Sequence, residues 1–119
     1  MKRKVYYLST CDTCKRIMKD VNVDDSFEKQ DIKTDPITEE QVESFYAHTK
    51  SYEALINKRA RKLKAALEDN PVKSDADYKK LLLRDYTFLK RPVFEIDGKL
   101  FVGNAAKTVA EVKAALAKE

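Results

Sequence analysis

The chain is poor in the side chains that hold metal ions, because its 119 residues include two cysteines and one histidine, His48. A structural zinc site usually needs four ligands of these types, so the composition argues against one. No apolar run approaches the length of a transmembrane helix, and Met1–Lys4 is not followed by a signal-type apolar stretch. We therefore expect a soluble cytoplasmic protein with no membrane partner and one domain over residues 1–119.

Neither sign of charge dominates, since 24 basic residues face 20 acidic ones and the net charge is +4. The densest basic cluster is Lys58–Lys64, which Ala60 and Leu63 interrupt and in which no aromatic residue is interleaved. This pattern is typical of a solvated helix surface rather than of a nucleic-acid site. The chain shows no linker, repeat or low-complexity tract, which agrees with the one-domain prediction.

The two cysteines lie three residues apart, as Cys11 and Cys14. They follow the apolar run Val5–Leu8 and precede the helix-like run Lys15–Lys19. A C-x-x-C motif between a strand and a helix is typical of thioredoxin-type redox sites. The first sulfur then lies at a helix N-terminus, where unpaired N–H groups and the helix dipole favour the thiolate. The alternatives are a zinc site or two ordinary buried residues, and the placement favours redox chemistry.

The first third of the chain predicts a β-α-β unit. Its elements are a strand over Lys4–Leu8, a helix from about Thr13 to Val21 and a strand over Phe27–Ile32. Such a unit normally forms a parallel pair of strands.

The middle of the chain, about residues 38–86, predicts an all-helical insertion. Its signals are a capping box of Thr38 with Gln41, a helical run over Ala60–Leu67, and Ser74 with Asp77 as a further helix cap. No convincing strand pattern occurs in this segment.

The last third predicts a β-hairpin and a helix. Pro92–Ile96 and Lys99–Val102 flank the strong turn signal Asp97-Gly98, and Lys107–Lys118 reads as a helix with Thr108 and Glu111 as its capping box. The order β-α-β, helical insertion, β-β-α indicates an α/β thioredoxin-like fold with a four-stranded mixed sheet.

Two further segments carry a resemblance to a known family. Phe88–Val93 contains an Arg-Pro step before the third strand, and Leu100–Gly103 leads into the last helix. Together with Cys11 and Cys14, these motifs resemble the arsenate-reductase-related family, which includes glutaredoxin-coupled arsenate reductases and the Spx and YffB proteins. The resemblance covers essentially the whole chain.

The resemblance implies roles for three residues distant from the cysteines in sequence. Pro92 is expected to form a cis peptide bond and to lie against the active-site sulfurs. Arg91 would then project toward Cys11, where a guanidinium can hold a tetrahedral oxyanion through two parallel hydrogen bonds. Arg59, by its offset in the sequence, is the candidate for a second arginine that faces Cys11.

The residues around the motif predict the rest of the chemistry. Cys11 is the candidate nucleophile, and Thr13 and Lys15 are candidates to stabilise its thiolate or the substrate. Cys14 is the candidate resolving thiol, which would form a disulfide with Cys11. Thioredoxin or a glutathione/glutaredoxin system would then reduce this disulfide, with no bound cofactor.

Two positions depart from the pattern of glutaredoxin-coupled arsenate reductases. Those enzymes usually have no cysteine at the position of Cys14, and they carry a third arginine where this chain has Gly103. The reaction predicted here is reduction of arsenate, a small oxyanion, to arsenite. The alternatives are a general thiol-disulfide oxidoreductase and an Spx-like redox-sensing regulator that binds RNA polymerase.

Overall fold

The structure, a computed structural model, describes residues 2–118, which form two compact units. The sheet unit comprises the residues up to Asp35 and those from Arg91 onward, and the helical unit is Pro36–Lys90. Among the described residues, the sheet unit contains β1 (Arg3–Tyr7), α1 (Asp12–Asp20), β2 (Glu28–Asp31), β3 (Val93–Ile96), β4 (Lys99–Val102) and α5 (Ala106–Ala117). The helical unit contains α2 (Glu39–Thr49), α3 (Leu63–Asp69), α4 (Ala76–Arg84) and the short 3₁₀ helices Glu53–Leu55 and Tyr86–Phe88.

The strands form one mixed sheet in the order β2-β1-β3-β4. β1 is parallel to β2 and antiparallel to β3, and β3 is antiparallel to β4. This topology confirms the predicted thioredoxin-like sheet. Its consequence is that β1 and β4 end, and β3 begins, at the same edge of the sheet. The segments around Cys11, Pro92 and Gly103 therefore meet at that edge.

The turn of the β3–β4 hairpin lies at the predicted Asp97-Gly98 pair. Both residues have positive φ, 49° at Asp97 and 80° at Gly98, as the two central residues of a type I′ turn require. The turn sets the register that places Phe94 opposite Phe101.

The core of the sheet unit lies between the sheet and the two helices α1 and α5. Phe27 and Phe94 pack edge to face in this core, with ring centroids 6.2 Å apart. Burial of each such side chain contributes about 1.5–3 kcal/mol to the free energy of unfolding. The buried members of the cluster are Val5, Ile17, Val21, Phe27, Phe94, Ile96 and Val112. Ile17 and Val21 pack in this core, so the helix that begins after Cys11 is anchored to the sheet unit in its middle and at its C-terminal end.

The helical unit is held by buried apolar side chains and by polar contacts between its helices. The predicted capping box at the start of α2 is confirmed, since Thr38 and Gln41 exchange both of its hydrogen bonds. Asp75 accepts hydrogen bonds from the backbone N–H groups of Tyr52 and Glu53, at 2.8 and 3.0 Å, and so joins the first 3₁₀ helix to the start of α4.

Two of the predicted helix caps differ in the structure. The capping box of Thr108 with Glu111 is wrong, because the N-cap of α5 is Ala105, three residues before Thr108, and it makes no side-chain cap bond. At α4 the carboxylate of Asp77 accepts from the backbone N–H of Ser74 at 3.3 Å, but Ser74 is not the N-cap residue. In both cases the residue pattern is that of a box, but the chain enters the helix at another residue.

The helix predicted over Ala60–Leu67 is displaced toward the C-terminus, to Leu63–Asp69. None of the helices in the described part of the chain has the length and the apolar character that a membrane crossing requires.

Candidate functional site

Cys11 is the N-cap residue of α1, with an extended backbone at φ −97° and ψ 112°. Its N–H donates to the carbonyl of Leu8 at 2.9 Å, and its carbonyl accepts from the N–H of Lys15 at 3.2 Å. The first bond closes the turn that leaves β1, and the second begins the helix. The Cys11 side chain is partly exposed, so an external reactant can reach the sulfur.

The surroundings of Cys11 favour its ionised form. Partial burial opposes ionisation, but the backbone N–H and thiol of Cys14, the guanidinium of Arg91 and the N–H of Thr13 together hold the pKa of Cys11 below its ordinary value of 9.0. The N–H groups of Cys14 and Thr13 act on the sulfur at the positive end of the helix, although Cys11 makes no side-chain cap hydrogen bond. Cys11 is thus a partly exposed thiol whose surroundings favour ionisation.

Cys14 differs from Cys11 in exposure and in pKa, although both lie at the first turn of α1. Its side chain is 0% exposed. Burial raises the pKa of Cys14 to about 12, and the neighbouring Cys11 thiolate adds to this. The protonated Cys14 donates a hydrogen bond to the sulfur of Cys11. The pair therefore consists of one partly exposed thiol with a lowered pKa and one buried thiol with a raised pKa, both free of a disulfide in this structure.

Arg91 and Pro92 lie at the start of β3, at the same edge of the sheet. The peptide bond between them is cis, as expected from the resemblance. The carbonyl of Pro92 accepts from the N–H of Gly103 at 3.0 Å. Gly103 has φ 95°, a backbone conformation that residues other than glycine rarely adopt. Arg91 is half-buried, and its charge lowers the pKa of both thiols.

Asp31, at the end of β2, supports the loop before Cys11 and was not among the predicted site residues. Its carboxylate Oδ1 accepts from the N–H of Ser9 at 3.3 Å and from the N–H of Lys33 at 3.2 Å. The hydrogen bonds from Ser9, led by its side chain, help to hold the pKa of Asp31 below its usual range. The signal for it in the sequence is that parallel strands end at one edge, so an Asp at the end of β2 lies near the residues that follow β1.

The other predicted residues have these positions. Thr13 is half-buried in the first turn of α1, and its N–H faces the sulfur of Cys11. Lys15 is exposed on the same turn. Arg59 belongs to the helical unit, where its N–H donates to the side chain of Asn57 at 3.1 Å and its side chain is exposed. The roles of these residues and of Pro92 toward a substrate stay predictions.

No group of three or more potential metal ligands occurs among residues 2–118. His48, the third potential soft ligand, is exposed on α2 in the helical unit. The groups that the structure brings together at the site are two sulfurs, the guanidinium of Arg91 and the backbone N–H groups at the start of α1.

The variant Arg91→Ala is expected to raise the pKa of Cys11, because the guanidinium no longer stabilises the thiolate. Below the pKa the thiolate fraction falls as the pKa rises, so alkylation of Cys11 by iodoacetamide at pH 7 should slow roughly three- to tenfold. The rates of variant and wild type should converge at a pH above both pKa values. Site-resolved mass spectrometry over a pH series measures both effects.

Two control variants accompany this measurement. Arg91→Lys keeps the charge and should retain most of the rate, whereas Lys99→Ala removes an exposed cation from β4 and should change nothing. An unchanged pH profile in Arg91→Ala would contradict the assigned electrostatic role.

Comparison with known proteins places these features in a family. A model of the ArsC family matches residues 6–112. An arsenate reductase (ArsC) related protein from Brucella melitensis is 26% identical, with a TM-score of 0.66 and 93% of each chain covered. No curated protein matches the sequence.

Two other solved structures share the fold at lower identity. A YffB protein is 23% identical with a TM-score of 0.78, over 93% of this chain and 98% of that one. An arsenate reductase from Vibrio cholerae is 15% identical with a TM-score of 0.72, over 94% and 98% of the two chains. Because the family match includes Cys11, Cys14, the Arg91-Pro92 step and Gly103 over nearly the whole length, the protein belongs to the ArsC family.

Proposed function

We propose that the protein reduces arsenate to arsenite, with Cys11 as the nucleophile and Cys14 as the resolving thiol. Membership of the ArsC family supports a thiol-dependent reductase. The observation that carries the mechanism is the contrast between the two sulfurs: Cys11 is accessible and has a lowered pKa, and Cys14 is buried and protonated beside it.

The first step is attack of the Cys11 thiolate on the arsenic of arsenate. An As–S bond forms and one oxygen leaves as water after it takes up protons. The positive charge of Arg91 acts at this position, and a guanidinium suits the oxygens of an oxyanion. Arg59 is proposed as a second cation for the same oxyanion.

The second step is attack of Cys14 on the sulfur of Cys11. The Cys14 thiol loses its proton to the departing arsenic oxygens, a Cys11–Cys14 disulfide forms and the As–S bond breaks. The bond's electron pair stays on arsenic, which leaves as arsenite. Because its pKa is about 12, Cys14 stays protonated until it attacks, and so does not compete with Cys11 for the substrate.

The third step is reduction of the disulfide by an external dithiol or by glutathione, which supplies two electrons and two protons. We propose thioredoxin or glutaredoxin as the electron donor, and the reducing cytoplasm as the compartment in which such donors act.

A second candidate, a general thiol-disulfide oxidoreductase, is favoured by one observation. Gly103, whose φ of 95° suits glycine, stands where the resemblance implies a third arginine in glutaredoxin-coupled arsenate reductases. A site with fewer cations holds an oxyanion less tightly, while thiol-disulfide exchange at Cys11 needs no such grip.

The test is NADPH consumption with thioredoxin and its reductase, with and without arsenate, repeated with glutathione and glutaredoxin. Arsenate-dependent consumption is the expected result and identifies the donor. If neither donor system gave arsenate-dependent consumption, although a preformed Cys11–Cys14 disulfide was reduced, the arsenate assignment would be overturned. That result would favour the thiol oxidoreductase or an Spx-like regulator that contacts RNA polymerase.

A further inference from the structure

A groove of about 870 Å³ lies between α1 and α5 in the sheet unit. Ile17 and Val109 contribute apolar surface to it, together with the small side chains of Ala106 and Ala110. Small residues on α5 keep the groove open, because they do not fill the space between the two helices. A groove of this volume, with both apolar and charged lining residues, fits a segment or face of another molecule.

The groove begins at the reactive edge of the sheet. α1 and α5 follow β1 and β4, which are parallel to one another, so both helices start at the edge where Cys11 lies. Lys19, near the far end of the groove, is eight residues from Cys11 and thus about 12 Å away along the helix. A protein interface of ordinary size buries about 800 Å² on each partner, which is enough to include both Cys11 and the groove.

The rim of the groove is cationic. Arg16, Lys19 and Lys113 line it together with one carboxylate, Asp20. Asp20 pairs with Lys113 at 3.1 Å, so two positive charges remain. Neither Arg16 nor Lys19 is engaged in a salt bridge within residues 2–118. A groove lined by apolar residues and by two cations without a salt bridge is complementary to a protein face that carries carboxylates.

We propose that this groove is the docking site for an acidic face of the dithiol protein that reduces the Cys11–Cys14 disulfide. The proposal rests on the thiol chemistry proposed above, but not on arsenate as the substrate. The donor's thiolate attacks the sulfur of Cys11, because Cys14 is buried, and the Cys14 thiolate leaves and takes up a proton. The donor's second thiol then attacks its own first sulfur, so the Cys11 thiolate is released and the donor becomes a disulfide.

The test uses protein whose Cys11–Cys14 disulfide has been formed with diamide, so that no arsenate is involved. Reduction is followed with thioredoxin and its reductase, with glutaredoxin in parallel, and with dithiothreitol as a donor too small to need the groove. The variant Lys19→Glu/Lys113→Glu is expected to raise the KM for the donor protein about tenfold with little change in kcat. Its rate with dithiothreitol should equal that of the wild type.

The matched control is Lys99→Glu/Lys118→Glu, which changes the net charge equally but outside the groove and should leave the KM within about twofold. The single variant Lys19→Glu breaks no ion pair. It therefore shows whether the effect of the double variant arises from the lost Asp20–Lys113 pair and a less stable helix. Asp20→Asn removes the one carboxylate that lines the groove among residues 2–118 and should lower the KM. Raising the salt concentration should raise the wild-type KM.

Three results would overturn the proposal: an unchanged KM in the double charge reversal, an equal slowing with dithiothreitol, or no reduction of the wild-type disulfide by either donor protein. A wild-type protein that forms no Cys11–Cys14 disulfide would overturn the proposed function itself, and the docking proposal with it. That outcome is distinct from an unchanged KM, so the two failures can be told apart.

Discussion

Replacement of Cys11 by serine is expected to abolish turnover, with a loss on the order of 10³-fold or more. Cys11 is the accessible thiol of the pair and the one whose pKa is lowered. A serine hydroxyl in the same position stays protonated at neutral pH and is a much weaker nucleophile than a thiolate. NADPH consumption with arsenate and a donor system measures the loss, and mass spectrometry should find no adduct at residue 11.

The matched control for Cys11→Ser is the same exchange of sulfur for oxygen three residues later. Cys14→Ser should still be alkylated at Cys11, because the accessible thiolate is retained. The contrast between the two variants separates loss of the nucleophile from any general effect of a serine at the start of α1. Turnover within tenfold of the wild type in Cys11→Ser would show that another group attacks the substrate.

Cys14→Ser itself is expected to stop the reaction after one round, so that steady-state turnover with thioredoxin falls to background. Cys11 can still attack, but no buried thiol is available to form the disulfide that thioredoxin reduces. The product is Cys11 with a single covalent adduct, detectable by mass spectrometry as at most one per protein. Steady turnover of Cys14→Ser with thioredoxin alone would contradict the resolving role.

A second replacement at this position tests the hydrogen bond between the thiols. Cys14→Ala removes the donor that faces the Cys11 sulfur, whereas Cys14→Ser keeps a hydroxyl there. Both variants should lose turnover, but only Cys14→Ala should show a raised midpoint in the pH profile of Cys11 alkylation. Equal profiles would mean that the Cys14 side chain does not contribute to the lowered pKa of Cys11.

Much of the fold could be predicted because its signals are local. The Asp97-Gly98 pair favours a two-residue turn through the positive φ that it tolerates, and the structure has the turn at that pair. The apolar runs and the turn signal placed the four strands within about one residue of their observed bounds, and the capping box at Thr38 occurs as expected. These features depend on residues adjacent in sequence, so they can be recognised without knowledge of the rest of the chain.

Other local signals failed for a reason that is also physical. Thr108 and Glu111 have the spacing of a capping box, but the chain leaves β4 through Gly103 and is already helical at Ala106. The path of the chain after β4 and the packing of Val112 in the core set the start of α5. Together they outweigh a cap that contributes about 1 kcal/mol.

The sequence by itself determined that two cysteines lie at a strand-to-helix junction, and therefore that one of them is at a helix N-terminus. It did not determine how strongly the two thiols differ, since both are cysteines on one helical turn. The tertiary structure decided this by burying Cys14 in the sheet unit and by bringing Arg91, eighty positions along the chain, to act on Cys11. The support from Asp31 arises in the same way, since burial, charge and hydrogen bonding act through space and depend on which strands the sheet places side by side.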